Sequence, residues 1–324
     1  MILDILKKHN VVCKDHATAT PLTGGVSCEI YLVEDDNSRL VVKRALEKLK
    51  VEKEWFADTS RNLYEQRYLK YVGERFPQYV PKILHSFEKE RLFTMEYFPE
   101  RFKDWKKALM KGEVSATIAN HIGQALGNIH KSSWQDPDAE AQFDSDNNFY
   151  QLRLEPYFES MLEEHHDLHT QLKSLCLSVS TTKKCLVHGD FSPKNILVSD
   201  DEVKIVDCEV AWYGDPAFDV AFMLHHLMLK AMHFNDPHYV NAADEFLAAY
   251  KSTVGERLYL EVSEAKIAKL VAAMMLARID GKSPVEYLSE QEKTTMRSSL
   301  KALLKQTFTT VHHLTEELGL RSNK

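Results

Sequence analysis

The chain has 324 residues, 44% of them hydrophobic and 27% charged, enough to bury a sizeable core without disulfides or structural metals. Its 41 Lys and Arg against 48 Asp and Glu leave a net charge of -7, which argues against a nucleic-acid partner held on a broad basic surface. Five scattered cysteines (Cys13, Cys28, Cys176, Cys185, Cys208), no apolar run approaching the roughly 20 residues of a bilayer span and no signal-peptide core predict a soluble, cytoplasmic protein without disulfides, a thiolate zinc site or a membrane partner.

In chain order, alternating or β-branched runs at 28–34, 40–43 and 92–97 read as strands, with one helical stretch at about 59–74. Asp35-Asp36-Asn37-Ser38 reads as the hairpin turn between the first two strands. Near residue 98 the periodicity changes, so the expected domains are 1–97 and 98–324. In the second, Ile118, Ile122, Ala125, Leu126 and Ile129 recur on one helical face, as do Leu224, Leu227, Met228 and Met232. Further helices are predicted at about 152–177, 238–254, 264–280 and 289–317. A short β island interrupts them at 186–187, 196–198 and 203–206, the last two runs joined by the turn Ser199-Asp200-Asp201-Glu202.

The chemistry concentrates between Val187 and Asp219. With the turn centred near residue 200.5, cross-strand partners have numbers summing to about 401 or 402, so Asn195 falls opposite position 206–207. Antiparallel neighbours lie about 4.5–5.5 Å apart, close enough for an amide oxygen and a carboxylate to share one cation. Such hard oxygen donors suit magnesium. Asp190 precedes Asn195 by five positions, the D-x-x-x-x-N spacing of kinase catalytic loops, and Asp207 follows twelve residues later.

His188-Gly189-Asp190, Pro193-x-Asn195 and Asp207-x-Glu209 together resemble the aminoglycoside phosphotransferase and choline kinase superfamily, over about residues 20–230. The resemblance implies an α+β, bilobal protein-kinase-like fold: a small N-terminal nucleotide-binding lobe of antiparallel sheet with one main helix, and a larger, mainly helical C-terminal lobe with the catalytic loop and substrate pocket. It implies ATP as co-substrate, Mg2+ as cofactor, and transfer of the γ-phosphoryl group to a small-molecule hydroxyl. The superfamily's acceptors include aminoglycosides, choline or ethanolamine, methylthioribose, homoserine and related sugars or amino alcohols. By the same resemblance Asp190 is the catalytic base, and Asn195 and Asp207 hold the metal. Lys43, in Val41-Val42-Lys43, pairs with phosphates, with Glu65 as its helix partner and Glu52 and Glu54 competing. Gly24 and Gly25 cover the nucleotide, and the backbone around Glu96 and Phe98 holds the adenine.

Several departures bear on this reading. The glycines depart from G-x-G-x-x-G, Ser192 stands where protein kinases carry lysine, Asp207-Cys208-Glu209 replaces D-F-G, and no A-P-E segment is recognisable, which favours small substrates over proteins. The competing reading is a catalytically silent nucleotide-binding regulatory module. Asp215 reads as a helix N-cap, Asp219 as a brace for the catalytic loop or a helix-dipole charge, His188 as loop support and His130 as a packing residue. Lys194 is either a phosphate contact or a solvated charge, and Trp212, Tyr213, His225 and His226 either line the pocket or pack the helix. His165 and His169 have zinc-like spacing without a third ligand and read as a surface helix, and Glu155, Glu159 and Glu163 as a solvated stripe. The sequence leaves the oligomeric state open.

Overall fold

A computed structural model of the protein describes residues 2–12, 16–22, 28–36, 38–46 and 61–321. Two compact units emerge, one of residues 1–102 with 204–209, the other of 103–203 with 210–324. The first holds α1 (Ile2–Lys8), β1 (Thr18–Pro21), β2 (Cys28–Glu34), β3 (Arg39–Ala45), α2 (Arg61–Arg75), β4 (Ile83–Phe87) and β5 (Leu92–Glu96). Its strands form one antiparallel sheet in the order β1-β2-β3-β5-β4.

Strand alternation decides what this sheet presents. Val33, Leu40, Val42 and Leu92 bury against Ile2 and Leu6 of α1. Since successive side chains point to opposite faces, Val41, Lys43 and Ala45 face the other way, where Lys43 meets α2. The β2–β3 register runs from Cys28↔Ala45 to Glu34↔Arg39, and the Ser38 backbone N–H and hydroxyl close the turn by donating to the Asp35 carboxylate at 2.7 and 2.8 Å. Edge strands β1 and β4, both largely exposed, lack the apolar alternation that marks the inner strands. Segment 204–209 joins this unit through the Ile205 N–H on the Tyr79 carbonyl at 2.7 Å and Lys204 Nζ on the Gln78 carbonyl at 2.8 Å.

The second unit is mainly helical. Its elements are β6 (Lys103–Asp104), α3 (Trp105–Met110), α4 (Ala116–Ser132), α5 (Pro137–Gln142), α6 (Asp146–Phe149), α7 (Glu155–Tyr157), α8 (His169–Thr181), β7 (Cys185–Val187), β8 (Ile196–Ser199), β9 (Glu202–Ile205), β10 (Trp212–Gly214), α9 (Pro216–Phe234), α10 (Pro237–Val254), α11 (Glu256–Val262), α12 (Glu264–Asp280), α13 (Glu290–Leu304) and α14 (Val311–Glu317). The last two residues of β9 group with the first unit. Local sequence sets the helix ends. Asp215 and Asp236 cap α9 and α10 ahead of a first-turn proline, and α9 stops at Asn235 in a left-handed conformation (φ 50°). No helix among the described residues is long and apolar enough to cross a membrane.

Two expected helices are broken. Instead of one helix over 152–177 there is a π turn at Tyr150–Leu154, the short α7 with Pro156 in its first turn, two 3-10 turns, and only then α8. Residues 289–317 divide because Lys269 Nζ takes the Leu304 carbonyl at 3.1 Å, ending α13, while Thr310 caps a new helix by accepting from the His313 N–H at 3.1 Å.

The best-packed helix pair, α4 on α10, depends on glycine. A Cβ on Gly123 would stand 2.3 Å from the Phe246 carbonyl oxygen, a backbone atom that cannot swing away. Gly123→Ala is therefore expected to destabilise the fold by about 1–3 kcal/mol despite alanine's better helix propensity. Urea unfolding checks it, and an unchanged or raised midpoint would contradict this account of the packing.

Candidate active site

The His188-Gly189-Asp190 loop sits in the second unit, directly after β7, which pairs antiparallel with β10 (Trp212↔Val187). Gly189 has φ +76°, and a Cβ there would meet the Val210 carbonyl oxygen at 2.5 Å, so only glycine fits. The buried Asp219 carboxylate accepts from the His188 and Gly189 backbone N–H groups at 2.7 and 2.9 Å, so Asp219 braces this loop. His188 Nδ1 accepts from the Asp190 N–H at 3.1 Å. His130 packs beneath, its Nδ1 2.9 Å from the Tyr250 hydroxyl and its Nε2 3.4 Å from Asp219.

Asp190, 6% exposed, lies between two cations: Arg153 at 3.0 Å and Lys194 at 2.9 Å. Lys194 thus closes onto the carboxylate. Sequence reasoning missed Arg153, which comes from the π turn upstream and also hydrogen-bonds the carbonyl of Gly189, 36 residues later. No sequence pattern marks that turn, although such insertions cluster at functional sites. The Asn195 amide nitrogen donates to the Asp190 backbone carbonyl at 2.9 Å, which leaves the amide oxygen as the group available to a cation.

The remaining candidates lie in the first unit. Lys43, 1% exposed, has its ammonium 2.8 Å from Glu65 and in an ion pair with Asp207. Asp207 holds a left-handed φ of +60°, a strained conformation for a non-glycine residue. Glu209 is anchored by Arg61 at 3.1 Å and the Cys28 thiol at 3.4 Å. Asn195 in the second unit and Asp207 in the first each offer a hard oxygen of the kind magnesium takes.

Among the adenine candidates, the Glu96 N–H is already committed to the Lys82 carbonyl at 2.9 Å, so its backbone can offer only the carbonyl. Gly24, Gly25, Glu52 and Glu54 lie outside the described residues. Trp212 is buried and stacked on Phe149 at 4.0 Å, a packing position. His165 is buried, ahead of α8 rather than on a surface helix, and its partner Asp280 forms a two-pronged ion pair with Arg297 that disfavours a cation there. The Glu155–Glu163 stripe dissolves with its helix.

The sequence model of the phosphotransferase enzyme family matches residues 18–262. Similar curated proteins include methylthioribose kinases of Geobacillus kaustophilus (26% identity, covering 64% of this chain and 59% of the relative) and Bacillus cereus strain ATCC 10987 (26%, 70% and 62%). The chain thus spans about three fifths of the length of these relatives. Among solved structures, an amicoumacin kinase in complex with AMP-PNP and Ca2+ superposes with a TM-score of 0.63 at 14% identity over 97% of both chains. A choline/ethanolamine kinase family protein from Mesorhizobium loti gives 0.54 at 13% identity over 99% of both. These likenesses show the kinase-like fold.

The Lys43 cluster makes a pH prediction. Burial, joined by the charges of Asp207 and Glu209, outweighs Lys43 and pushes the Glu65 carboxyl up to about 7 from 4.5; its buried Oε2 has no hydrogen-bond partner among the described residues. Below about pH 4.5 the group is protonated folded or unfolded, and its stabilising contribution is fully present. As pH rises through 7 the unfolded chain gains from ionisation first, so the contribution is lost, on the order of 3 kcal/mol. Glu65→Gln mimics the protonated form, so urea unfolding across about pH 5–8 should show wild type losing stability relative to the variant. Parallel pH profiles would contradict this.

Proposed function

The chain belongs to the phosphotransferase enzyme family, and from that premise we propose that it transfers the γ-phosphoryl group of ATP to a hydroxyl group of a small molecule. The observation carrying this reading is the braced His188-Gly189-Asp190 loop, whose carboxylate and neighbouring Asn195 amide are both fixed in orientation. The curated relatives are named methylthioribose kinases, which supports a sugar-like acceptor.

Asp190 orients the acceptor hydroxyl. Its oxygen bonds to the γ-phosphorus as the bond to the β,γ-bridging oxygen breaks, ADP departs, and the proton passes through Asp190 to solvent. Fixed between Arg153 and Lys194, the carboxylate suits orientation, and the two cations suit the charge on the transferring group. Lys43, held by Glu65, pairs with the nucleotide phosphates, which Gly24 and Gly25 cover. The Glu96 carbonyl and the Phe98 N–H, which none of the described residues accepts, are the groups that would hydrogen-bond the adenine. Asn195 and Asp207 would hold magnesium, which when bound neutralises phosphate charge.

Asp190→Asn should lower kcat by about 10²–10⁴-fold while calorimetric Mg-ATP affinity stays within about threefold. Coupled ADP release over hydroxylated acceptors provides the rate. Undiminished turnover would remove Asp190 from its role, and nucleotide binding without any acceptor-dependent ADP release would favour a silent module.

A further inference from the structure

Phe222, His226 and Lys230 recur every fourth residue of α9 and share one face of it. That face begins beside Asp190, because Arg153, paired with Asp190 at 3.0 Å, also lies 5.6 Å over the Phe222 ring. Next comes the His226 ring, 5.7 Å from Phe222 and 4.1 Å from His225. One turn on is Lys230, 1% exposed, its Nζ 3.3 Å from the His226 carbonyl and 5.4 Å from the Tyr287 ring. Helical rise puts His226 and Lys230 about 6 and 12 Å along the axis from Phe222, the reach of a small metabolite.

Polar capacity is left over here. Among the described residues, the Nε2 of the fully buried His225, the Arg278 Nε and the Tyr287 hydroxyl have no hydrogen-bond partner. Among the described residues the Arg278 guanidinium bonds only to the Ser283 carbonyl and hydroxyl, and Glu286, a carboxylate whose charge acts on Lys230, is occupied by Lys106 at 2.7 Å. Among the described residues neither Arg278 nor Lys230 has a carboxylate within ion-pair distance. Burial, then Lys106 and Arg278, push the Lys230 ammonium down to about 7, and burial with neighbouring His225, Lys230, Arg278 and Lys194 holds His226 neutral. An uncompensated buried cation such as Lys230 is costly, and an anion relieves that cost where a polyamine or quaternary ammonium group would add to it.

We propose that this face of α9 is the acceptor subsite and that it takes a hydroxylated molecule carrying a carboxylate or phosphate group, the anion on Lys230 and Arg278 and the hydroxyl at Asp190. The inference rests on the phosphotransferase reading only for the role of the hydroxyl. It is tested on the full chain saturated with Mg-ADP, by thermal melting with inorganic phosphate and glycerate against choline and glucosamine at matched ionic strength. The anions should raise Tm by at least about 2 °C and the cations should not. Lys230→Met should abolish the shift, and Arg278→Gln decides the matter should that variant fail to fold. No anion shift in wild type, or a shift surviving in every folded variant, would overturn the proposal. ADP release separates the two readings. A variant-sensitive anion shift without turnover of any acceptor defeats the kinase reading alone, whereas turnover of choline or an aminoglycoside without an anion shift defeats the anionic subsite alone.

Discussion

The geometry of the His188-Gly189-Asp190 loop depends on one buried carboxylate. A left-handed glycine directs the backbone N–H groups of His188 and Gly189 inward, away from any strand or helix that could pair them. Left alone, each would cost about 1–3 kcal/mol. Asp219 accepts both, and the charge this requires in a dry interior is tolerable because Asp219 lies in the first turn of α9, where the helix presents its positive end. The loop and the start of α9 are therefore one unit of structure. Asp190 inherits its position from that unit and is then fixed laterally by Arg153 and Lys194.

A different compromise governs Lys43, where one buried ammonium serves two carboxylates. Asp207 is the more exposed, with 25% of its side chain accessible, whereas Glu65 is enclosed at 1%. Desolvation therefore falls on Glu65, and the cluster responds by raising that carboxyl while keeping the ammonium charged. Glu209 is tied down by Arg61 beside it.

What the sequence made legible follows the range of the physics. Strands β2, β3 and β5, the caps of α9 and α10, and the roles of Asp215, Asp219 and His188 rest on contacts a few residues apart or on a motif with fixed spacing. The α+β architecture was readable for the same reason. The edge strands were not, because exposed strands carry no apolar period. Arg153 reaches Asp190 through a π turn that no spacing announces, and Lys269 ends α13 from 35 residues away. Both interactions exist only after the helices have packed.

Helix α9 ties these observations together. Its first turn holds the 188–190 loop, its flank offers Phe222 to Arg153 and carries the half-buried His226, and its later turns bring His225 and Lys230 into the interior. An apolar helix would pack there at lower cost, since a buried lysine without a carboxylate partner is among the more expensive substitutions a core can tolerate. The loss is borne by a helix that is otherwise almost wholly buried and capped at its start, so a locally unfavourable face is carried by a globally stable element. Placing polar groups on the same rigid helix that braces the 188–190 loop also sets their separation from Asp190.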